Sequence, residues 1–293
     1  MIISSQDVLV ERPGALSRSK PVSAWSVFIA TVIKDLQIER RYLPDMIGKV
    51  IELAVRLLFY LMLSGIISVK AVNSPLGQEM TNHDLFIFFQ GGLLLFVFSG
   101  TALSTPVNSV ARDLNNGTLE FLYSNPSSRY AYFVGGIVAN AIISQIVFLP
   151  LYLFLVISSG ATLSSMLMVL AVCMTVLVTL IALGIMIALL GLLWRQVGAV
   201  TTVLAILFEM LSGAYFPVSV FPPALRAVTY LLPYTWGYDL IRYYSFDGRW
   251  QPLIPVWAEW SLLVVYAVGF TIASRYLLKR AEQRAKQQGL NLI

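Results

Sequence analysis

The feature that most constrains this chain is a series of long apolar runs separated by short polar stretches. An α-helix needs about 20 apolar residues to cross a hydrocarbon core roughly 30 Å thick, and these runs lack the alternation of a barrel strand. Composition agrees, because 58% hydrophobic and only 12% charged residues leave too little polar surface to cover a globule in water. The sequence therefore predicts an all-α, polytopic membrane protein.

Six runs have the length of a transmembrane helix, and we take residues 1–293 as a single transmembrane domain. The runs lie at 51–70, 85–105, 132–157, 166–193, 197–216 and 255–278. Pro150 should kink the third run, because a proline inside a helix removes one backbone hydrogen bond.

A separate amphipathic helix is predicted at 23–42, before the first span. Its apolar side chains fall largely on one side, as in a helix that lies along a membrane surface. At the start of the first span, Lys49, Glu52 and Arg56 share one helical face. Two interpretations of this face remain open: the side chains snorkel to the interface, or they make polar contacts with a partner subunit.

Basic residues predict the orientation. Of the 20 Lys and Arg residues, only Lys70, Arg226, Arg242 and Arg249 lie opposite the side that holds both termini. The positive-inside rule then makes both termini cytoplasmic, in a multi-pass protein of the cell membrane. Anionic inner-leaflet lipid accounts for the basic excess, so no nucleic-acid partner is expected. The first 20 residues have no sustained apolar core, so no cleavable signal peptide is expected.

The cytosolic loop at 106–131, between the second and third spans, contains "NNGTLEFLYSNPSSR". Gly117 permits a sharp turn, Thr118 can cap a helix, and Glu120 complements the helix dipole. The following Leu119 and Leu122 would present apolar side chains from a short helix beneath the membrane. Such a helix either transmits force from a cytosolic partner or caps the bundle, and its spacing leaves both open.

A hairpin is predicted at 217–250, between the fifth and sixth spans. This segment is unusually apolar and aromatic, but its prolines divide it into pieces too short to span. Two re-entrant or interfacial helices, at 222–232 and 234–245, fit best, because irregular backbone at membrane depth must be covered by protein or line a water-filled path.

The fifth span carries the best candidate for a transport pathway, Glu209. A carboxylate inside a span is costly unless it faces an interior, a cavity or a partner. A pathway role and a structural hydrogen bond both remain open. Tyr215 and Phe216, next to Gly213 and Pro217, are interpreted as a hydrophobic gate at the exterior mouth.

Three tryptophans near the exterior end, Trp250, Trp257 and Trp260, are assigned to the interfacial aromatic belt, and Glu259 between the last two is assigned to the interface. Chemistry-bearing residues are few: one cysteine, one histidine and no G-x-x-x-x-G-K-[ST] phosphate loop. We therefore expect no catalytic residue, metal or cofactor on this chain.

Three stretches carry a resemblance to a known family: Asp113 with "GTLEFLYSNPSSR", then "LSGAYFP" and "LLPYTWGYDLIR". Together they resemble the type-2 ABC transporter permeases. The resemblance implies two permease subunits, identical or closely related, with two cytosolic ATP-binding-cassette subunits that bind ATP and Mg²⁺. It also assigns ATPase coupling to the loop, through Gly117, Thr118, Leu119, Glu120, Leu122 and Arg129.

The expected activity is export of a hydrophobic or amphipathic compound, such as a drug, an antibiotic or a lipid-like molecule, by alternating access. A polysaccharide or glycolipid exporter is the alternative. An ion-coupled secondary transporter is less favoured, because the chain shows neither internal repeats nor several ionisable groups in its spans.

Overall fold

The computed structural model describes residues 23–41, 43–67, 74–97, 129–191 and 198–288. These ranges are helical and contain no β-strand, which confirms the all-α prediction. The helices are α1 Ala24–Arg41, α2 Leu43–Ile66, α3 Asn82–Val97, α4 Arg129–Ser159, α5 Leu163–Gly191, α6 Gly198–Leu211, α7 Pro223–Tyr230, α8 Pro233–Ser245 and α9 Val256–Gln288, with a 3₁₀ turn at Val218–Val220.

Two of these helices are long and apolar enough to cross a membrane: Leu163–Ile187 within α5 and Val256–Arg280 within α9. A third span is present if the bent helix α4 is counted as one crossing. The chain is thus a membrane protein. The count of six stays a prediction, because α3 stops and α6 starts at the edge of a described range.

The bend in α4 measures 45° and separates Tyr130–Ile146 from Phe148–Ser159. Pro150 lies inside this helix. It has no N–H to bond the carbonyl of Ile146, four residues earlier, and its ring crowds that carbonyl. The kink predicted from Pro150 is therefore present.

Helix α5 forms the centre of the described structure and packs along both α9 and α8. Its buried residues Val169, Val172, Val176 and Leu180 recur three or four positions apart, as on the inward face of a helix. Gly237 of α8 lies against this face, since a Cβ there would come within 2.7 Å of Val176 Cγ2. The glycine allows α8 to approach α5 closely.

Helix α1 occupies the segment predicted to be amphipathic and crosses α4. The crossing, which we call the α1–α4 crossing, has Gly135 and Gly136 at its centre. A Cβ on Gly135 would lie 2.9 Å from Thr31 Cβ and 3.0 Å from the carbonyl oxygen of Phe28. The two helices therefore touch because α4 carries no side chain at this point. The surface location of α1 stays a prediction.

Residues 217–250, the hairpin, contain α7 inside the predicted range 222–232 and α8 beginning one residue before the predicted range 234–245. Pro223 and Pro233 occupy the first turn of their helices, where a missing N–H costs nothing. Re-entry into a membrane stays a prediction. The loop residues Gly117, Thr118, Leu119, Glu120 and Leu122 lie outside the described residues, whereas Arg129 begins α4.

Candidate functional site

Glu209 lies near the end of α6 and is buried, with 6% of its surface exposed. The Tyr215 hydroxyl donates a hydrogen bond to Glu209 Oε1 at 3.0 Å. The two meet because the chain turns back after Leu211, where α6 ends. Gly213 makes this possible with a φ of 87°, a left-handed conformation that favours glycine. The structure thus joins two of the residues that we assigned to the pathway.

A second tyrosine extends this contact to α2. Tyr60 is buried, and its ring stacks on Phe89 with centroids 5.3 Å apart. The centre of its ring also lies 6.2 Å from the centre of the Tyr215 ring. We call Tyr60, Tyr215 and Glu209 the carboxyl–tyrosine cluster. Sequence reasoning missed Tyr60, although it continues the i, i+4 series of Glu52 and Arg56 on the same face of α2.

The charged face of α2 has partners within the chain. Arg56 Nη2 lies 3.1 Å from Glu52 Oε1, and its guanidinium lies 3.8 Å from the centre of the Phe96 ring. Lys49 donates to Glu39 of α1 at 2.6 Å. Snorkelling and contact with a partner subunit both stay predictions for this face.

The hairpin holds the turn that carries Tyr215. Thr229 of α7 donates to the Leu211 carbonyl at 2.9 Å, and Arg242 Nη2 of α8 donates to the Ala214 carbonyl at 3.0 Å. Leu211 ends α6 and Ala214 follows it, so neither carbonyl has a donor within the helix. The position of Tyr215 on Glu209 therefore depends on the hairpin.

Arg242 itself is buried, with 2% of its surface exposed. Its guanidinium stacks on the Phe88 ring at 3.6 Å, a favourable arrangement for a cation over an aromatic face.

The family model described as ABC-2 type transporter matches residues 36–246 of this sequence. The chain belongs to the ABC-2 type transporter family. It is accordingly a membrane transport subunit and not a catalytic one. No curated protein matches the chain significantly. The match confirms the resemblance, and it includes the carboxyl–tyrosine cluster and the predicted coupling residues but not α9.

The remaining predicted gate residues of this ABC-2 family member differ in environment. Phe216 is 50% exposed, whereas Gly213 and Pro217 are buried. A Cβ on Gly213 would lie 2.9 Å from Val218 Cγ2, so the turn is closely packed. The turn therefore directs Tyr215 inward and leaves Phe216 at the surface, and a gating role for Phe216 stays a prediction.

Two assignments to the membrane interface are wrong. Trp250 is buried and donates through Nε1 to Asp239 Oδ1 at 2.8 Å. Glu259 is fully buried and accepts a hydrogen bond from the Ile254 N–H at 3.3 Å. Trp250 Nε1 and Glu259 Oε1 each have a polar partner within the chain, so these two atoms are buried without being left unpaired. Trp257, at 74% exposed, has the exposure expected of an interfacial residue.

A polar contact fastens the end of the hairpin to the start of α5, and its acceptor Asp247 lies outside the candidate spans. Asp247 Oδ1 accepts hydrogen bonds from the hydroxyls of Ser165, at 2.6 Å, and Thr162, at 2.8 Å. These donors stabilise the carboxylate and hold the pKa of Asp247 below its usual range, with Ser165 contributing most. Asp247 has a φ of 53°, which an Asp or Asn tolerates better than most residues.

Proposed function

We propose that this chain is the permease subunit of an ATP-driven exporter that moves hydrophobic or amphipathic compounds out of the cytoplasm or inner leaflet. The observation that carries the proposal is the carboxyl–tyrosine cluster. It places one buried carboxyl group between α2 and α6, directly beside the turn that the hairpin holds. An ionisable group inside a membrane span is rare, and it is by default a candidate for a functional site.

The cluster suits a gate. Separation of α2 from α6 would break the contact between Tyr60 and Tyr215 and open the side of Glu209 to a passing molecule. Phe216 and the tightly packed residues Gly213 and Pro217 would line the mouth above it. The apolar walls with one carboxyl group per subunit match a compound that is mostly apolar and carries a weak positive charge.

A sugar polymer fits this site less well. Stacking on sugar faces requires exposed aromatic rings, yet Tyr234, Trp236, Tyr238 and Trp250 of the hairpin are at most 4% exposed. Their rings pack on protein instead; Tyr230 on Trp236 and Phe246 on Trp250 are examples. This burial favours an amphipathic cargo over a polysaccharide.

The energy would come from two cytosolic ATP-binding-cassette subunits bound to a pair of identical permeases. Coupling is assigned to Gly117, Thr118, Leu119, Glu120, Leu122 and Arg129. Moving a two-state equilibrium from 1:99 to 99:1 requires about 5.5 kcal/mol of differential binding. Support comes from α4, which starts at Arg129 directly after this loop and carries α1 at the α1–α4 crossing. Force on the loop would thus reach both helices.

The test is reconstitution of the permease with its ATP-binding-cassette subunit in lipid vesicles, with a fluorescent lipophilic cation as cargo. We expect ATP-dependent movement of the dye that Glu209→Gln reduces at least several-fold and Glu120→Lys abolishes together with coupled ATP hydrolysis. Glu52→Gln, which alters an exposed carboxyl group on α2, is the control and should leave transport intact. Dye movement on an ion gradient without the ATPase would contradict the proposal.

A further inference from the structure

A second buried acidic group lies apart from the carboxyl–tyrosine cluster, where the hairpin meets α9. Consecutive backbone N–H groups bring two carboxyl groups together there: Leu253 donates to Asp239 Oδ2 on α8 at 2.8 Å, and Ile254 donates to Glu259 Oε1 on α9 at 3.3 Å. Asp239 is 5% exposed and Glu259 is fully buried. Two neighbouring carboxylates away from water repel each other strongly, so a proton between them is the simplest way to hold them together.

The hydrogen-bond donors show where that proton lies. Asp239 uses both oxygens as acceptors, with Trp250 Nε1 on Oδ1 and the Leu253 N–H on Oδ2, each at 2.8 Å. That pattern suits an ionised carboxylate. Glu259 accepts the Ile254 N–H on Oε1, but its buried Oε2 receives no hydrogen bond from a donor in the described part of the chain. Oε2 is therefore the oxygen free to carry a proton.

The surrounding charges lead to the same result. Arg242, one turn after Asp239 on α8, is the buried cation that interacts with Asp239. Helix α5 contributes no charged side chain, and Asp84 of α3 is occupied by the Thr81 hydroxyl and N–H. One guanidinium and two carboxyl groups make a neutral set only when one proton is bound. A neutral set avoids the cost of an uncompensated buried charge.

We propose that Asp239 and Glu259 form a proton-binding site, in which Glu259 carries the proton and donates it in a hydrogen bond to Asp239. The bound proton fastens the hairpin to α9. Asp239 also accepts hydrogen bonds from Trp250 and Leu253, so the site fixes the segment between α8 and α9 as well. Loss of the proton would leave two negative groups facing one cation and would loosen this attachment.

The first test compares the thermal unfolding midpoints of the purified full-length chain and two single variants. Glu259→Gln retains a donor toward Asp239 and should unfold within about 2 °C of the unchanged protein. Asp239→Asn turns an amide N–H toward at least one of the two N–H donors and should lower the midpoint by roughly 5 °C or more. If Glu259→Gln destabilises as much as Asp239→Asn, the proton assignment is overturned.

The second test does not depend on how the Asp239 variant folds. Infrared spectroscopy of the full-length chain in lipid at neutral pH should show a protonated carboxylic acid band, sensitive to exchange into D₂O, that disappears in Glu259→Gln. Glu209→Gln is measured in parallel, so that any band from the buried carboxyl group of Glu209 is subtracted. A difference spectrum without this band would refute the proposal. Neither test needs an ATPase or a cargo, so both are independent of the transport activity.

Discussion

The hairpin and the α1–α4 crossing hold helices together by opposite means. In the hairpin, buried side chains such as Arg242 and Asp239 make directional hydrogen bonds to particular carbonyl and N–H groups. At the crossing, Gly135 and Gly136 allow two helices to touch, and the hydrogen bond from Lys34 Nζ to the Tyr132 hydroxyl is exposed and long, at 3.5 Å. Directional bonds fix one geometry, because a small shift leaves buried polar groups unsatisfied, whereas contact between smooth surfaces tolerates sliding. We therefore expect motion at the crossing and resistance to motion in the hairpin.

The largest expected effect comes from removing a directional hydrogen bond inside the hairpin. Arg242→Met removes the donor to Ala214 and leaves Asp239 without its cation, which should lower the free energy of unfolding by about 3 kcal/mol. Denaturant unfolding of the detergent-solubilised protein measures the change. Arg249→Met is the matched control, since Arg249 is exposed and lies seven residues further on. Equal effects of the two substitutions would remove the special role of Arg242.

The next effect tests the crossing. Gly135→Leu places a side chain against Thr31 and the Phe28 carbonyl and should cost about 1–3 kcal/mol, mainly by displacing α1. Hydrogen exchange of the α1 amides should accelerate while exchange in the hairpin stays unchanged. Gly48→Ala in α2, where a Cβ meets nothing within 4 Å, should be neutral or slightly stabilising. Faster exchange in the hairpin as well would show that the two regions are not separate.

A smaller effect sharpens the link between the hairpin and the carboxyl–tyrosine cluster. Tyr215→Phe keeps the ring but removes the hydrogen bond to Glu209, at a cost of about 1 kcal/mol in stability. It should also reduce transport, because the carboxyl group loses its donor. Tyr230→Phe preserves the stack on Trp236 and is the control. Wild-type stability and transport in Tyr215→Phe would leave the hydrogen bond without a role.

The smallest effect concerns pH and the end of the hairpin. The pKa of Asp247 is lower in the folded protein, so the folded state releases this proton more readily than the unfolded state. Its contribution to stability is complete above the ordinary Asp pKa of about 3.9 and is lost as the pH falls through the folded value. Asp247→Asn keeps the backbone conformation and should flatten this part of the pH profile of the unfolding midpoint. If the unfolding midpoint of Asp247→Asn falls with decreasing pH as steeply as that of the unchanged protein, the assignment is wrong.

Local signals were enough to predict the two short helices of the hairpin and the bend in α4. Prolines at 222, 223 and 233 marked the two short helices of the hairpin, and Pro150 marked the bend in α4. The error at Glu259 came from helical geometry. Residues two apart on a helix point in directions about 200° apart, so Trp257 faces outward while Glu259 faces inward. Adjacent tryptophans therefore did not indicate the environment of Glu259.

Contacts between distant parts of the chain could not be predicted from the sequence. Tyr60 meets Tyr215, and Asp239 meets Glu259, only after several helices have packed. One such contact had a usable signal, because Tyr60 continues the spacing of Glu52 and Arg56. The coupling assignment for Gly117 to Leu122 rests on the motif and stays a prediction.

The central position of α5 has a consequence for which helices would move during transport. Its buried residues from Val169 to Leu180 are apolar except for Thr179, whose hydroxyl donates to the backbone carbonyl of Thr175 in the same helix. Helix α8 packs on α5 at Gly237, and α9 packs along the length of α5. The three helices therefore form one packed block. The helices that move during a transport cycle would then be those outside that block, with α2 and α6 foremost.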